Sequence, residues 1–310
     1  MIALLAPGQG SQAPGMLSPW LELDGAAERV AGWSETTGLD LARLGTTADA
    51  EEIKDTAVTQ PLVVALAVLA HEELARRGVL PAELLVAGHS VGELAAAAVA
   101  GVLTADDAVA LAAVRGREMA AACALEPTGM SAVLGGEADV VLEHLEGLGL
   151  TPANINGAGQ IVAAGPLPAL EKLAADRPEG SRTVKALPVA GAFHTRHMAP
   201  AEAVLQERAA AVRVTDPRHT LLSNADGAVV TEGRDVLRRL VNQVTRPVRW
   251  NACMATMSGH GVTAIVELPP AGTLVGLAKR ELKGTPTLAV KTPQDLDEVA
   301  TLVAEHGGTT

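Results

Sequence analysis

The sequence predicts an α/β fold: a large domain built on a parallel sheet, carrying a small inserted ferredoxin-like domain. Three observations lead there. Short continuous apolar runs alternate with helical stretches, the pattern of strands covered by helices on both faces. A serine between two glycines, Gly88-His89-Ser90-Val91-Gly92, joins one such run to an alanine-rich stretch. After about Glu126 the element order changes to β-α-β-β-α-β.

The first strand is predicted over residues 2–6, ending abruptly in Pro7-Gly8-Gln9-Gly10-Ser11-Gln12. Helices follow over 25–36 and 60–77, the second opened by Pro61 in its first turn. A strand at 84–87 leads into the serine turn and its helix, which ends near Gly101. Thr104 caps a further helix to about Ala122, with Asp106 and Asp107 in its first turn. The inserted unit reads as strand 130–134, helix 138–148, paired strands within 153–164, helix 167–175 and strand 183–189. The α/β pattern then resumes with helices 200–212, 235–244 and 273–282, and strands 219–223 and 263–268. The expected division is therefore 1–125 with 192–310 as the large domain and 126–191 as the small one. Residues 307–310 are expected to fray.

Composition limits the function. The chain has 310 residues, 48% of them hydrophobic, but no Tyr, one Phe and three Trp. Its core must be made of Ala, Val and Leu, and stacking on bases is an unsuitable main theme. A formal charge of -12 argues against a nucleic-acid or anionic-membrane surface. Cys123 and Cys253 have no CxxC spacing, so neither a disulfide framework nor a metal site is indicated. The N-terminus lacks a basic n-region, and no apolar run reaches about 18 residues without interruption. The expectation is a soluble, cytoplasmic protein, monomeric, with no nucleic-acid or membrane partner.

A G-x-S-x-G turn forces its serine into a cramped conformation that lifts Oγ clear, and the helix behind it offers N–H donors to an oxyanion. The plainer reading of Ser90 is a glycine-punctuated strand–helix turn. A nucleophilic serine needs a base. Of eight histidines, His194 and His197 lie where a strand end breaks into a loop, a place to project a catalytic group, although surface loop histidines look the same. Glycines beside Gln9 free its N–H as a second oxyanion donor next to that of Val91, provided the two strands are neighbours. A glycine loop after a first strand also fits phosphate binding, but neither G-x-G-x-x-G nor Walker A is present. Arg115 shares a helix face with Ala108, Leu111 and Met119. An arginine there either meets a buried carboxylate or anionic ligand, or snorkels.

Gly8-Gln9-Gly10-Ser11-Gln12, Gly88-His89-Ser90-Val91-Gly92-Glu93, Arg115, Asn154-Ile155-Asn156 with Gly159-Gln160, Ala192-Phe193-His194, and Gln243 with Pro247-Val248-Arg249-Trp250 occur in that order. Together they resemble the malonyl-CoA:acyl carrier protein transacylases over nearly the whole chain. The resemblance implies an α/β-hydrolase-like large domain and a ping-pong transfer of malonyl through Ser90, without a cofactor. It implies His194 as base, oriented by the backbone carbonyl of Gln243, and Gln9 and Val91 as oxyanion donors. Arg115 would hold the malonyl carboxylate. Asn154 and Asn156 would line the cleft, with Met119 in the pocket and Gln60 buttressing the serine loop. Phe193, before the histidine, implies malonyl over methylmalonyl. Malonyl-CoA and an acidic acyl carrier protein are the implied partners, the carrier docking on a local basic patch from Arg238, Arg239, Lys279, Arg280 and Lys283. That cluster reads equally as a solvated face.

The chain departs from many relatives at Pro269-Pro270-Ala271-Gly272, where a Gly-Pro-Gly turn is usual; a positive φ at Ala271 would be strained. The alternatives are a serine thioesterase, a transferase for another extender unit, and a non-catalytic carrier-binding module. Hydrolases of this elbow type place an acid and then a histidine near the C-terminus, whereas here residues 195–310 follow the histidine.

Overall fold

The computed structural model describes residues 1–307; the expected fraying of the C-terminal tail falls mostly outside the described residues. Along the chain come β1 (Ile2–Ala6), α1 (Ala26–Thr37), α2 (Leu41–Thr46), α3 (Thr56–Arg77), β2 (Leu84–Gly88), α4 (Gly92–Val99) and α5 (Ala105–Cys123). Next are β3 (Thr128–Gly135), α6 (Ala138–Gly147), β4 (Thr151–Gly157), β5 (Gln160–Pro166), α7 (Leu167–Ala175) and β6 (Ser181–Ala186). The chain continues through α8 (Ala199–Ala209), β7 (Thr220–Leu222), β8 (Val229–Val230), α9 (Gly233–Asn242), α10 (Trp250–Gly259), β9 (Ala264–Glu267), α11 (Thr273–Glu281), β10 (Thr287–Ala289) and α12 (Leu296–His306).

One sheet has the order β10-β9-β1-β2-β7-β8 and is parallel except for β8, which returns antiparallel beside β7. Every residue of β1 and β2 is buried, as their unbroken apolar sequences require. The second sheet, β4-β5-β3-β6, is antiparallel and gives the ferredoxin-like order with α6 and α7. It is tied to the larger sheet's side of the molecule by two backbone bonds of 2.9 Å, Ile155 N–H to Val248 O and Val248 N–H to Ala153 O.

Helix α3 begins a turn earlier than its sequence predicts. Asp55 caps it by accepting from Ala57 N–H, which leaves Pro61 in the second turn rather than the first. It is long and apolar enough to cross a membrane by composition, but 78% of its apolar window is buried in this protein. Helix α5 crosses it closely: a Cβ on Gly116 would lie 2.6 Å from Thr56 O. That approach brings Arg115, the residue before, against Gln60 of α3. At the anomalous turn, Ala271 avoids positive φ, and Gly272 takes it at 136°.

Candidate active site

The serine turn is built by close approach. A Cβ at Gly88 would lie 2.1 Å from the Gly92 carbonyl, and one at Gly92 would lie 2.3 Å from Ala6 O. Only glycines let strand, turn and helix pack this tightly. Ser90 itself sits at φ 54°, a strained conformation for a side-chain-bearing residue, costing about 1–3 kcal/mol. Its N–H is held by Asn224 Oδ1 at 2.8 Å.

His194, expected as one of two loop candidates, reaches Ser90: Nε2 lies 2.8 Å from Oγ. It too adopts a positive φ, 60°. Its Nδ1 lies 2.8 Å from the backbone carbonyl of Gln243. A carbonyl only accepts, so Nδ1 carries the hydrogen and Nε2 is left to accept from the serine hydroxyl. Burial, with the charge of Arg115 second, pushes the His194 pKa down to about 3, so the ring is neutral around pH 7. His197 goes elsewhere and pairs with Glu126 at 2.7 Å.

β1 and β2 are parallel neighbours, with Ala6 opposite Gly88 and His89 N–H bonded to Ala6 O at 3.0 Å. The loop after β1 therefore lies against the serine turn. Among the described residues, the backbone N–H groups of Gln9 and Val91 have no protein acceptor. The Gln9 side chain donates to Thr56 Oγ1 at 3.2 Å, while its own Oε1 has no partner.

Arg115 is 2% exposed. It donates to Gln60 Oε1 at 2.7 Å, to Gln243 Oε1 at 2.8 Å and to Ser90 Oγ at 3.3 Å. It forms no ion pair among the described residues. It does not snorkel; burial lowers its pKa to about 10, and it remains a cation. Gln60, expected under the serine loop, instead braces Arg115 and donates to Met119 Sδ at 3.6 Å.

A cleft of about 700 Å3 opens beside the turn, lined by Gln9, His89, Asn154, Asn156, Gln160 and Leu187 among others. His89 Nε2 meets Asn156 Oδ1 at 2.9 Å, and its ring stands edge-on to Trp250 at 5.5 Å, away from Ser90 Oγ. Phe193 and Met119 are buried in the large core and do not line this open cleft. Of the five cations expected to form a basic patch, Arg238 and Arg239 are engaged by Asp235, and Arg239 also by Asp226. No three His, Cys, Asp or Glu residues are placed to hold a metal among the described residues.

Three contributions escaped the sequence reading: Glu93, Asn224 and the side chain of Gln243. Glu93 Oε1 accepts from Asn224 N–H at 2.7 Å and Oε2 accepts from the Gln243 amide. That amide also donates to Ser90 O at 3.0 Å, and Asn224 Nδ2 donates to Gly88 O at 2.8 Å. Burial pushes the Glu93 carboxyl up to about 7 against these hydrogen bonds and the charge of Arg115. An acid on an otherwise apolar helix was the available signal.

A neutral imidazole and a buried cation thus both reach Ser90 Oγ. The acyl transferase domain model matches residues 4–304. The chain belongs to this acyl transferase family. It is 65% identical over 303 residues to the malonyl CoA-acyl carrier protein transacylase of Mycobacterium tuberculosis (strain ATCC 25618 / H37Rv), covering 97% of this chain and 100% of the relative. A crystal structure of MCAT from Mycobacterium tuberculosis superposes with a TM-score of 0.94 at 65% identity, over 97% of this chain and 99% of that one. A malonyl-transacylase in complex with its type II PKS acyl-carrier protein gives 0.90 at 28% identity, over 97% and 99%. The family's α/β architecture with its smaller antiparallel sheet is the one described above.

Proposed function

We propose that this acyltransferase moves malonyl from malonyl-CoA to the phosphopantetheine thiol of an acyl carrier protein. The observation that carries the proposal is Arg115: a buried cation 3.3 Å from the candidate nucleophile and without an anion. A charge so placed suits an acyl group that ends in a carboxylate. A thioesterase for fatty chains would have no use for it.

In the proposed reaction, Ser90 Oγ attacks the thioester carbonyl carbon while His194 Nε2 takes the hydroxyl proton. The N–H groups of Gln9 and Val91 receive the oxyanion. The tetrahedral species then breaks its C–S bond, and the imidazolium returns the proton to the departing CoA sulfur. The carrier thiol attacks the malonyl-serine ester by the same steps in reverse and restores Ser90. A neutral carbonyl behind His194 orients the ring without stabilising imidazolium as a carboxylate would. Arg115 disfavours imidazolium further. A malonyl carboxylate on Arg115 relieves that repulsion, so the correct cargo also helps the base.

Phe193 beside His194 supports malonyl over methylmalonyl, and Asn154 and Asn156 support a cleft that holds the pantetheine arm between units 1–125 with 192–310 and 126–191. Lys279, Arg280 and Lys283 remain the patch offered to an acidic carrier. The reading needs no cofactor and treats the enzyme as a cytoplasmic monomer. Intact mass after incubation with malonyl-CoA tests it: a malonyl adduct that disappears in Ser90→Ala is expected. CoA release without any adduct would point to a hydrolase, and no reaction to a non-catalytic binding module.

A further inference from the structure

The proposed mechanism uses Arg115 and the backbone carbonyl of Gln243, but it leaves Glu93 without a task. Glu93 is buried at the start of α4, behind Ser90, on a helix whose other residues are apolar or glycine. Both of its oxygens accept hydrogen bonds, one from the main chain of Asn224 and one from the Gln243 amide. The far end of that amide, Oε1, faces Arg115 Nη2 at 2.8 Å. An amide has one accepting end and one donating end, so whatever holds the donating end decides what Arg115 meets.

We propose that Glu93 is a positioning residue for cargo recognition: by accepting from the Gln243 amide it turns that amide's oxygen toward Arg115 and holds the guanidinium ready for a carboxylate. This rests on the reading that Arg115 receives the malonyl carboxylate.

The chemistry of one substitution follows directly. In Glu93→Gln the side chain keeps its shape but has a single acceptor. The Asn224 N–H belongs to the main chain and cannot turn, so it claims that acceptor. The new NH2 group then faces Gln243, whose amide must reverse to offer its oxygen. Reversal sets the Gln243 NH2 against the Arg115 guanidinium, donor against donor. It also withdraws the bond from Gln243 to Ser90 O, which is 3.0 Å long in this structure. The backbone carbonyl of Gln243 is not involved in the reversal, so the His194 contact is spared.

The test is loading of Ser90 from malonyl-CoA and from acetyl-CoA, which lacks the carboxylate. It is measured on the same preparations of wild type, Glu93→Gln, Gln243→Met, the double variant and Arg115→Ala. The ratio of the two kcat/KM values cancels any misfolded fraction. In Glu93→Gln the malonyl-to-acetyl ratio should fall about tenfold, the scale of one lost hydrogen bond to a charged group. Gln243→Met should lower the ratio too, and the double variant should lower it no further than Gln243→Met alone, because Glu93 acts through that amide. An equal loss with both thioesters, or additive losses in the double variant, would reduce Glu93 to structural support and overturn the proposal. If Glu93→Gln yields no folded enzyme, an unchanged ratio in Gln243→Met overturns it as well. A ratio that survives Arg115→Ala refutes the role of Arg115 itself, an outcome distinct from the failure of Glu93 alone.

Discussion

Ser90 stands between two unlike regions. On one side are His194, Gln9 and Val91, which are electrically neutral: a buried uncharged imidazole and two backbone N–H groups. On the other side are Arg115, Gln243 and Glu93, a buried cation joined to a buried acid through one amide. In the proposed reaction the neutral side would carry out acyl transfer on any thioester that reaches it. The charged side there receives neither proton nor oxyanion; its part is to choose the cargo and, through the charge of Arg115, to bias His194. On that proposal the difference separates chemistry from most of the selectivity, with the Arg115 charge on His194 as the link between them.

The largest effect is expected where both regions meet. Ser90→Ala removes the atom they share and should lower transfer of every acyl group by at least ~10³-fold; residual transfer near wild-type rates would place the nucleophile elsewhere. Next is Arg115→Ala, which strikes only the charged side. Malonyl kcat/KM should fall by about 10²–10³, the scale of leaving a carboxylate without its cation. Acetyl transfer should stay within severalfold, and a parallel collapse of both would merge the two regions into one.

Phe193, the residue before His194, tests the cargo choice a second way. Phe193→Ser should raise methylmalonyl relative to malonyl by about tenfold or more, within the ~1–3 kcal/mol that one methyl group commands in a pocket. Comparable kcat/KM for both thioesters in the wild type would already deny the ring this role.

The last effect concerns stability. The His194 pKa is held near 3 in the folded protein against an ordinary 6.5. Between those values the unfolded chain binds the extra proton, so stability falls as pH falls through 6.5. From pH 6.5 to 5 this one residue accounts for roughly 2 kcal/mol. Glu93 acts in the opposite sense between 4.5 and about 7, because there the folded state holds the extra proton. Urea melts at pH 7 and pH 5 should therefore show a smaller acid loss for His194→Asn than for wild type. Equal losses would mean that the ring is not held neutral.

The neutral side was more legible in the sequence than the charged side. Ser90 announces itself because only glycines fit its flanks; His194 was expected at a strand end, but β6 stops at Ala186 and His194 lies in the loop before the proline-opened α8. Arg115 stood out as a cation on an apolar face. Glu93 was hidden as a mere neighbour of the serine motif, and the Gln243 side chain and Asn224 act across more than a hundred residues of chain, which no local pattern records. The fold shows the same division. β1, β2 and the order of the inserted unit follow from apolar runs, and α7 has its predicted bounds. β8 and β10 have only two and three residues, too few to show a period. α10 is an apolar segment without a side-chain cap. α12 was legible in principle, since Thr292 and Asp295 form a capping box just before it. Pro61 misled the start of α3 because tertiary packing tolerates it in a second turn.

The most direct test of the division is the crystal structure of the malonyl-Ser90 ester. The cargo carboxylate should lie within ~3 Å of the Arg115 guanidinium nitrogens, with the ester carbonyl oxygen toward the N–H groups of Gln9 and Val91. A carboxylate turned instead into the cleft toward Asn154 and Asn156, with Arg115 still bonded only to Gln60 and Gln243, would contradict it.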